Sequence, residues 1–177
     1  MDGVLTFTPP PETYYRPPES APLGVVDAVP QDASVGVVTD SGVRDAGVVA
    51  TVTAGVAVQT LYDDVQSNPT LETAADAADA LAGADVAVAV GGGSVMDAAK
   101  AACASPAFGS IAALRATPAT DAPPAPDAAI PLVCVPTTAG TGTETGHWAV
   151  LSDHDAGTQV SGGHPALKPP ATLLTPR

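Results

Sequence analysis

Apolar residues along this chain fall into two rhythms, short unbroken runs and longer stretches spaced by three and four, and their alternation predicts strands and helices in turn. VGVVTD at 35–40 is a β-branched run that stops at Asp40, Ser41 and Gly42, the pattern of a buried strand entering a turn. VAVQTLYDDV at 56–65 is a second strand candidate, and RDAGVVATVTAG between the two leaves room for only a short helix. Across 70–81, Leu71, Ala74, Ala75, Ala78 and Leu81 share one helical face, with Thr70 placed to cap the start and Gly83 to end it. ADVAVAV at 84–90 reads as a strand, then GGGS as a turn, then VMDAAKAACA as a helix that stops before Pro106. Residues 105–129 are rich in Pro, Ala and Asp and read as a long loop with one helical turn around 111–114. IPLVCVP at 130–136 is the last clear strand. The alternation implies an α/β fold, a mostly parallel sheet with helices on both faces.

Residues 1–22 change that picture at one end. They hold six prolines and no periodic apolar pattern, and read as an extended proline-rich lead-in, loosely packed or unpacked, before one domain over 23–177. A chain of 177 residues supports one core of useful size. Hydrophobic residues make up 45% but aromatics only 3%, so that core is built of Ala and Val, packs closely and buries modest area per residue. Nineteen acidic residues against six basic ones give a net charge of -13, spread along the chain. Such a surface repels polyanions and offers no basic stripe, which argues against nucleic acid as a partner. It resembles instead the surface of proteins kept soluble in a high-salt cytoplasm. The start has no basic region leading into an apolar core, and no run approaches the roughly 18 apolar residues of a membrane span. Neither signal peptide nor membrane is expected, and the protein is expected in the cytoplasm. Cys103 and Cys134 lack CxxC spacing and sit in apolar surroundings, the pattern of buried reduced thiols.

In parallel sheets ligands gather at the carboxyl ends of strands, and three of the predicted ends carry residues suited to a nucleotide: Asp40, the 91–94 turn and the 137–144 loop. Gly91, Gly92 and Gly93 lack side chains, so their backbone can adopt positive φ and let a pyrophosphate approach successive N–H groups. The helix that follows adds its positive N-terminal end. Taken alone, a glycine run after a strand is equally well a tight turn. The rest of the string adds chemistry: Ser94 can donate to a phosphate, Asp97 lies on the first helical turn, and Lys100 follows three residues later on the same face.

GGGSVMDAAK resembles the GGGSxxDxAK signature of the iron-containing (group III) alcohol dehydrogenases, not the GxGxxG of ordinary Rossmann enzymes. PTTAGTGTE at 136–144 is similar to that family's PTTAGTGSE, SNPT at 67–70 to its pNPT, and VVTD at 37–40 to its strand ending in Asp. The resemblance covers roughly 35–150 and implies a Rossmann-like dinucleotide-binding domain. It implies that Asn68, Gly92, Gly93, Ser94, Asp97, Thr137, Thr138 and Thr141 surround the cofactor, with Gly91 and Lys100 completing the glycine turn and helix face. Asp40 would face the adenosine ribose, where a carboxylate accepts from a free 2'-hydroxyl and repels a 2'-phosphate, so NAD is expected over NADP. A helix or turn cap is the other reading of Asp40.

The same resemblance sets expectations that this sequence departs from. Family members are longer and carry an all-helical domain in which an Asp and three His hold iron or zinc, and those ligands are absent from this sequence. ATLLTPR places Thr175 where the family has Asp. His147, His154 and His164, spaced by seven and ten, read as exposed loop histidines and not as metal ligands. Gln159 aligns with a family lysine on the nicotinamide side, and the segment between Asp40 and Tyr62 is shorter than in typical members. Two functions therefore stand. One is the NAD-binding portion of an oxidoreductase acting on a small-molecule alcohol or carbonyl compound, similar also to glycerol dehydrogenases or maleylacetate reductases, with its metal domain on a separate chain. The other is a truncated, non-catalytic nucleotide-binding remnant. Either would bare the apolar face that meets the metal domain and favour a homo-oligomer.

Overall fold

The computed structural model describes residues 11–17, 25, 27–117 and 121–175. Eight strands are present among them: β1 (Glu12–Tyr15), β2 (Val35–Thr39), β3 (Val58–Tyr62), β4 (Val86–Gly91), β5 (Leu132–Pro136), β6 (Trp148–Asp153), β7 (Thr158–Gly163) and β8 (Ala171–Leu174). The main helices are α1 (Ser41–Asp45), α2 (Val48–Val52), α3 (Leu71–Ala80), α4 (Gly93–Phe108) and α5 (Ile111–Ala116). Six strands form one wholly parallel sheet in the order β1-β8-β5-β4-β2-β3, so the expected α/β, Rossmann-like architecture is present. β6 and β7 form a separate antiparallel hairpin.

The central strands are buried along their whole length because helices cover both faces. Val35, Val37, Val88, Val90, Val133 and Val135 point to one face and pack with Val49 and Val52 of α2. Ala87, Ala89 and Cys134 point to the other, under α3 and α4. Small residues on that second face let Ala98, Ala99 and Ala102 bring α4 close to the sheet. Gly36 serves the same packing, since a Cβ there would lie 2.4 Å from Cδ2 of Leu81.

Local signals placed α3 well. Thr70 accepts from the Thr73 N–H at 3.0 Å while Thr73 accepts from the Thr70 N–H at 3.3 Å, a capping box, and Gly83 turns the chain at φ +86°. The segment between β2 and β3 holds two short helices where one was expected. α4 differs more, for it runs through Pro106 to Phe108 instead of stopping before the proline. Pro106 has no N–H for the Ala102 carbonyl, and the Ser105 hydroxyl donates to that carbonyl at 2.9 Å instead. The helix ends at Gly109, with φ +84°, and Ser110 caps α5, so much of the expected 105–129 loop is helical.

The lead-in is corrected in part. Residues 12–15 form an edge strand on β8, anchored by the Glu12 N–H to the Pro170 carbonyl at 2.8 Å and the Arg16 N–H to the Leu174 carbonyl at 3.0 Å. β8 offers an unpaired edge, and the β-favouring Thr-Tyr-Tyr segment fills it. Residues 1–10 and 18–22 of the expected lead-in lie outside the described residues. Among the described residues no helix is long and apolar enough to cross a membrane.

Cys103 of α4 and Cys134 of β5 are buried free thiols in one core cluster. Burial raises both pKa values, that of Cys134 to about 12 from an ordinary 9.0. The protonated form is thus favoured by folding, a contribution complete below pH 9.0 and lost as pH climbs from there toward about 12. Urea stability is expected to fall across that window. Near neutral pH neither thiol is expected to react with a thiol reagent until denaturant is added, which a thiol titration in both conditions checks.

Candidate nucleotide site

The chain runs from β2 outward to β3 and then returns to lay β4 on the opposite side of β2, which makes the β2/β4 boundary the switch point of the sheet. Loops leaving the two strands diverge there and open a crevice at their carboxyl ends. A groove of about 550 Å³ occupies this place. Asp40 lines it from the end of β2, Gly92, Gly93 and Ser94 from the start of α4, and Thr137 and Thr138 from the loop after β5.

Each lining group is positioned by local structure. Asp40 caps α1, accepting from the Val43 N–H at 2.9 Å, so the capping role is real, and the residue also borders the groove. Gly92 is the N-cap of the 16-residue α4 and no side chain caps it, leaving the first N–H groups of that helix without intrahelical partners. The expected positive φ does not occur at Gly91, Gly92 or Gly93. The glycines instead allow close approach: a Cβ on Gly92 would lie 3.3 Å from Oγ1 of Thr138 and one on Gly93 3.1 Å from Oγ1 of Thr141, both tight contacts, and one on Gly91 would lie 2.7 Å from Cβ of Val95. Gly91 itself is buried, and its carbonyl accepts from the Thr137 N–H at 2.9 Å, pinning the threonine loop to β4.

Asn68, Asp97, Lys100 and Thr141 do not line the groove. Asn68 holds a left-handed turn at φ +56° beside Ser67, which does line it. Asp97 and Lys100 direct their polar atoms away, to Thr143 and the start of β6. Asp63 and Asp64, unremarked in the sequence, border the groove with Asp40 and make that end acidic. Their signal was available, because they follow β3 at its carboxyl end. Arg44, the nearby cation, is held in ion pairs with Asp63 and, at 2.8 Å, with Asp45.

Comparison with known proteins places the chain in a family. A family model for iron-containing alcohol dehydrogenase matches residues 22–176. The chain belongs to that family. Phosphonoacetaldehyde reductase of Streptomyces viridochromogenes is 47% identical over 96 residues, 52% of this chain and 24% of that protein. Choline dehydrogenase of Bacillus subtilis is 34% identical over 166 residues, 89% of this chain and 39% of that protein. The crystal structure of sulfoacetaldehyde reductase from Bifidobacterium kashiwanohense in complex with NAD+ superimposes with a TM-score of 0.79 at 23% identity, covering 98% of this chain and 46% of that one, a likeness of fold. The chain thus spans less than half the length of these relatives.

Among the described residues no group of three or more His, Cys, Asp or Glu comes together. His154 is exposed and His147 half-buried. His164 corrects the expectation of an exposed loop histidine, being 4% exposed. Its Nδ1 accepts from the Ala166 N–H at 3.0 Å, its Nε2 lies 2.7 Å from the Asp121 carbonyl, and its ring meets Phe108 edge-on. Gln159 lies exposed on β7 opposite Ser152, away from the groove lining. Thr175 follows β8 and, with Thr137 and Thr138, lines a second cavity of about 720 Å³ beside the groove.

Proposed function

We propose that this chain is the NAD-binding portion of an oxidoreductase that moves hydride between a small alcohol or carbonyl compound and NAD. The observation that carries the reading is the uncapped N-terminus of α4 opening, through side-chain-free Gly92 and Gly93, into a groove at the sheet's switch point. Free N–H groups and the positive helix end suit a pyrophosphate, and the groove volume lies within the range of small-ligand sites. Ser94 and Thr138 would donate hydroxyl hydrogen bonds to the phosphates, and Thr137 would bound them from the β5 side. Thr141, packed over Gly93, would hold the loop against the turn. Asn68 would shape the neighbouring wall through its left-handed turn. The bound cofactor supplies the hydride acceptor or donor. Polarisation of the alcohol oxygen, the metal's work in this family, would fall to residues outside those described. The domain that binds the nucleotide is proposed to span 23–177.

Asp40, Asp63 and Asp64 favour NAD over NADP, since a 2'-phosphate would enter an acidic end of the groove whose neighbouring arginine is already paired. Fluorescence titration at high salt is expected to show saturable NADH binding and at least about tenfold weaker NADPH binding, a difference of roughly 1.4 kcal/mol. Asp40→Asn keeps an oxygen to cap α1 but removes the charge, and is expected to narrow that preference. Absence of saturable NADH binding would refute the reading, and an unchanged preference in Asp40→Asn would refute the role of Asp40.

A further inference from the structure

Asp97 and Lys100 belong to the same signature as the glycine turn, yet their contacts lead elsewhere. Lys100 is 1% exposed, three residues beyond Asp97 on one face of α4. Both meet one hydroxyl. Thr143 donates to Oδ1 of Asp97 at 2.6 Å and accepts from Nζ of Lys100 at 2.9 Å. Lys100 also donates to the Trp148 carbonyl at 2.8 Å, and Oδ2 of Asp97 accepts from the Val150 N–H at 3.2 Å. These four bonds fasten the far end of the β5–β6 loop, and the first residues of β6, to the flank of α4. The near end is fastened by the Thr137 N–H to the Gly91 carbonyl. Thr138 and Thr141, which pack over Gly92 and Gly93, lie between the two fastenings.

We propose that Thr143 is a positioning residue for the nucleotide groove: by joining Asp97 to Lys100 it holds the threonine loop over the glycine turn, without touching the nucleotide itself. The inference rests on the NAD-binding reading for its consequence, but the tie is a property of the free protein. A hydroxyl is suited to the task because one group must donate to a carboxylate and accept from an ammonium together. Serine does both. Valine has nearly the shape of threonine and does neither. With valine present, Asp97 and Lys100 sit on one helical face and can pair with each other, so α4 keeps its charge balance, and their bonds to Trp148 and Val150 still hold β6, while the loop itself loses its two bonds at Thr143. Burial lowers the Lys100 pKa, and the nearby Asp97 opposes that shift.

The test combines NADH titration with amide hydrogen exchange of the free chain, for wild type, Thr143→Ser and Thr143→Val. Expected results are faster exchange of the 137–146 amides in Thr143→Val with α4 amides unchanged, NADH affinity about tenfold lower, and both properties restored in Thr143→Ser. Unchanged loop exchange in Thr143→Val would overturn the tie whatever happens to NADH. Faster exchange with unaltered affinity would overturn the positioning role. If the wild-type chain binds no NADH, the nucleotide reading fails by itself, and hydrogen exchange still judges the tie. If Thr143→Val does not fold, Thr143→Ala, which removes both hydrogen bonds without adding bulk, is judged by the same two measurements.

Discussion

Gly92→Val is expected to weaken NADH binding about 100-fold, the loss of two charge-assisted hydrogen bonds at roughly 1.5 kcal/mol each. The Cβ alone would stand 3.3 Å from Oγ1 of Thr138, tighter than ordinary van der Waals contact, and the two branches must point either into the loop or across the exposed end of α4. Either placement closes the approach by which a phosphate reaches the first helical N–H groups. The backbone of Gly92, at φ -84° and ψ -170°, is accessible to valine, so the loss is steric at the site and not strain in the fold. A melting curve near wild type alongside a titration that no longer saturates is therefore the expected pair of results. Wild-type affinity in this variant would show that the phosphates, and with them the nucleotide, lie elsewhere.

Lys100→Met carries the largest expected cost in stability, about 3 kcal/mol, because it leaves the Trp148 carbonyl and the Thr143 hydroxyl without a charged donor and Asp97 without its compensating cation. For a chain of this size the melting temperature is expected to fall by about 10 °C. Methionine keeps the volume of the lysine stem, so cavity formation contributes little and the drop reports the polar network. Relief of the buried ammonium acts in the opposite direction, and a variant that melts at or above the wild-type temperature would refute the expected cost. The double variant Lys100→Met with Thr143→Val is expected to cost less than the two single changes summed, since both remove the same Lys100–Thr143 bond. Calorimetry of the four proteins settles the coupling.

Those two residues also mark how far the site was legible in advance. Gly92, Gly93 and Ser94, which border the groove, stand out because a strand-turn-helix string reveals its own geometry, with β4 ending, the glycines turning and α4 beginning within a few positions, while Thr137 and Thr138 border it from the end of β5. Asp40, legible as the polar end of a strand, caps α1 and borders the groove at once. Asp97 and Lys100 were picked out by helical spacing, which says that they share a face but not what that face meets. Their partners are 46 and 43 residues away at Thr143, and no local pattern links them. The β6–β7 hairpin leaves little trace in the sequence because only β6 buries alternate residues, Ala149, Leu151 and Asp153, while no residue of β7 is buried. Pro106 misled because a proline ordinarily ends a helix, and the Ser105 hydroxyl that compensates is a detail of three-dimensional contact.

Unbroken valine runs and the Thr70 capping signal were enough to specify β2, β4, β5 and α3, since burial on two faces and the satisfaction of helix ends are local demands that residue type alone meets. The glycine and threonine strings were likewise enough to specify the family. The order β1-β8-β5-β4-β2-β3, the addition of residues 12–15 as its edge, and the turning of Asp97 and Lys100 toward Thr143 emerged only when distant segments packed. Those features depend on pairing free energies between residues far apart in the chain, and a pattern confined to neighbouring positions does not contain them.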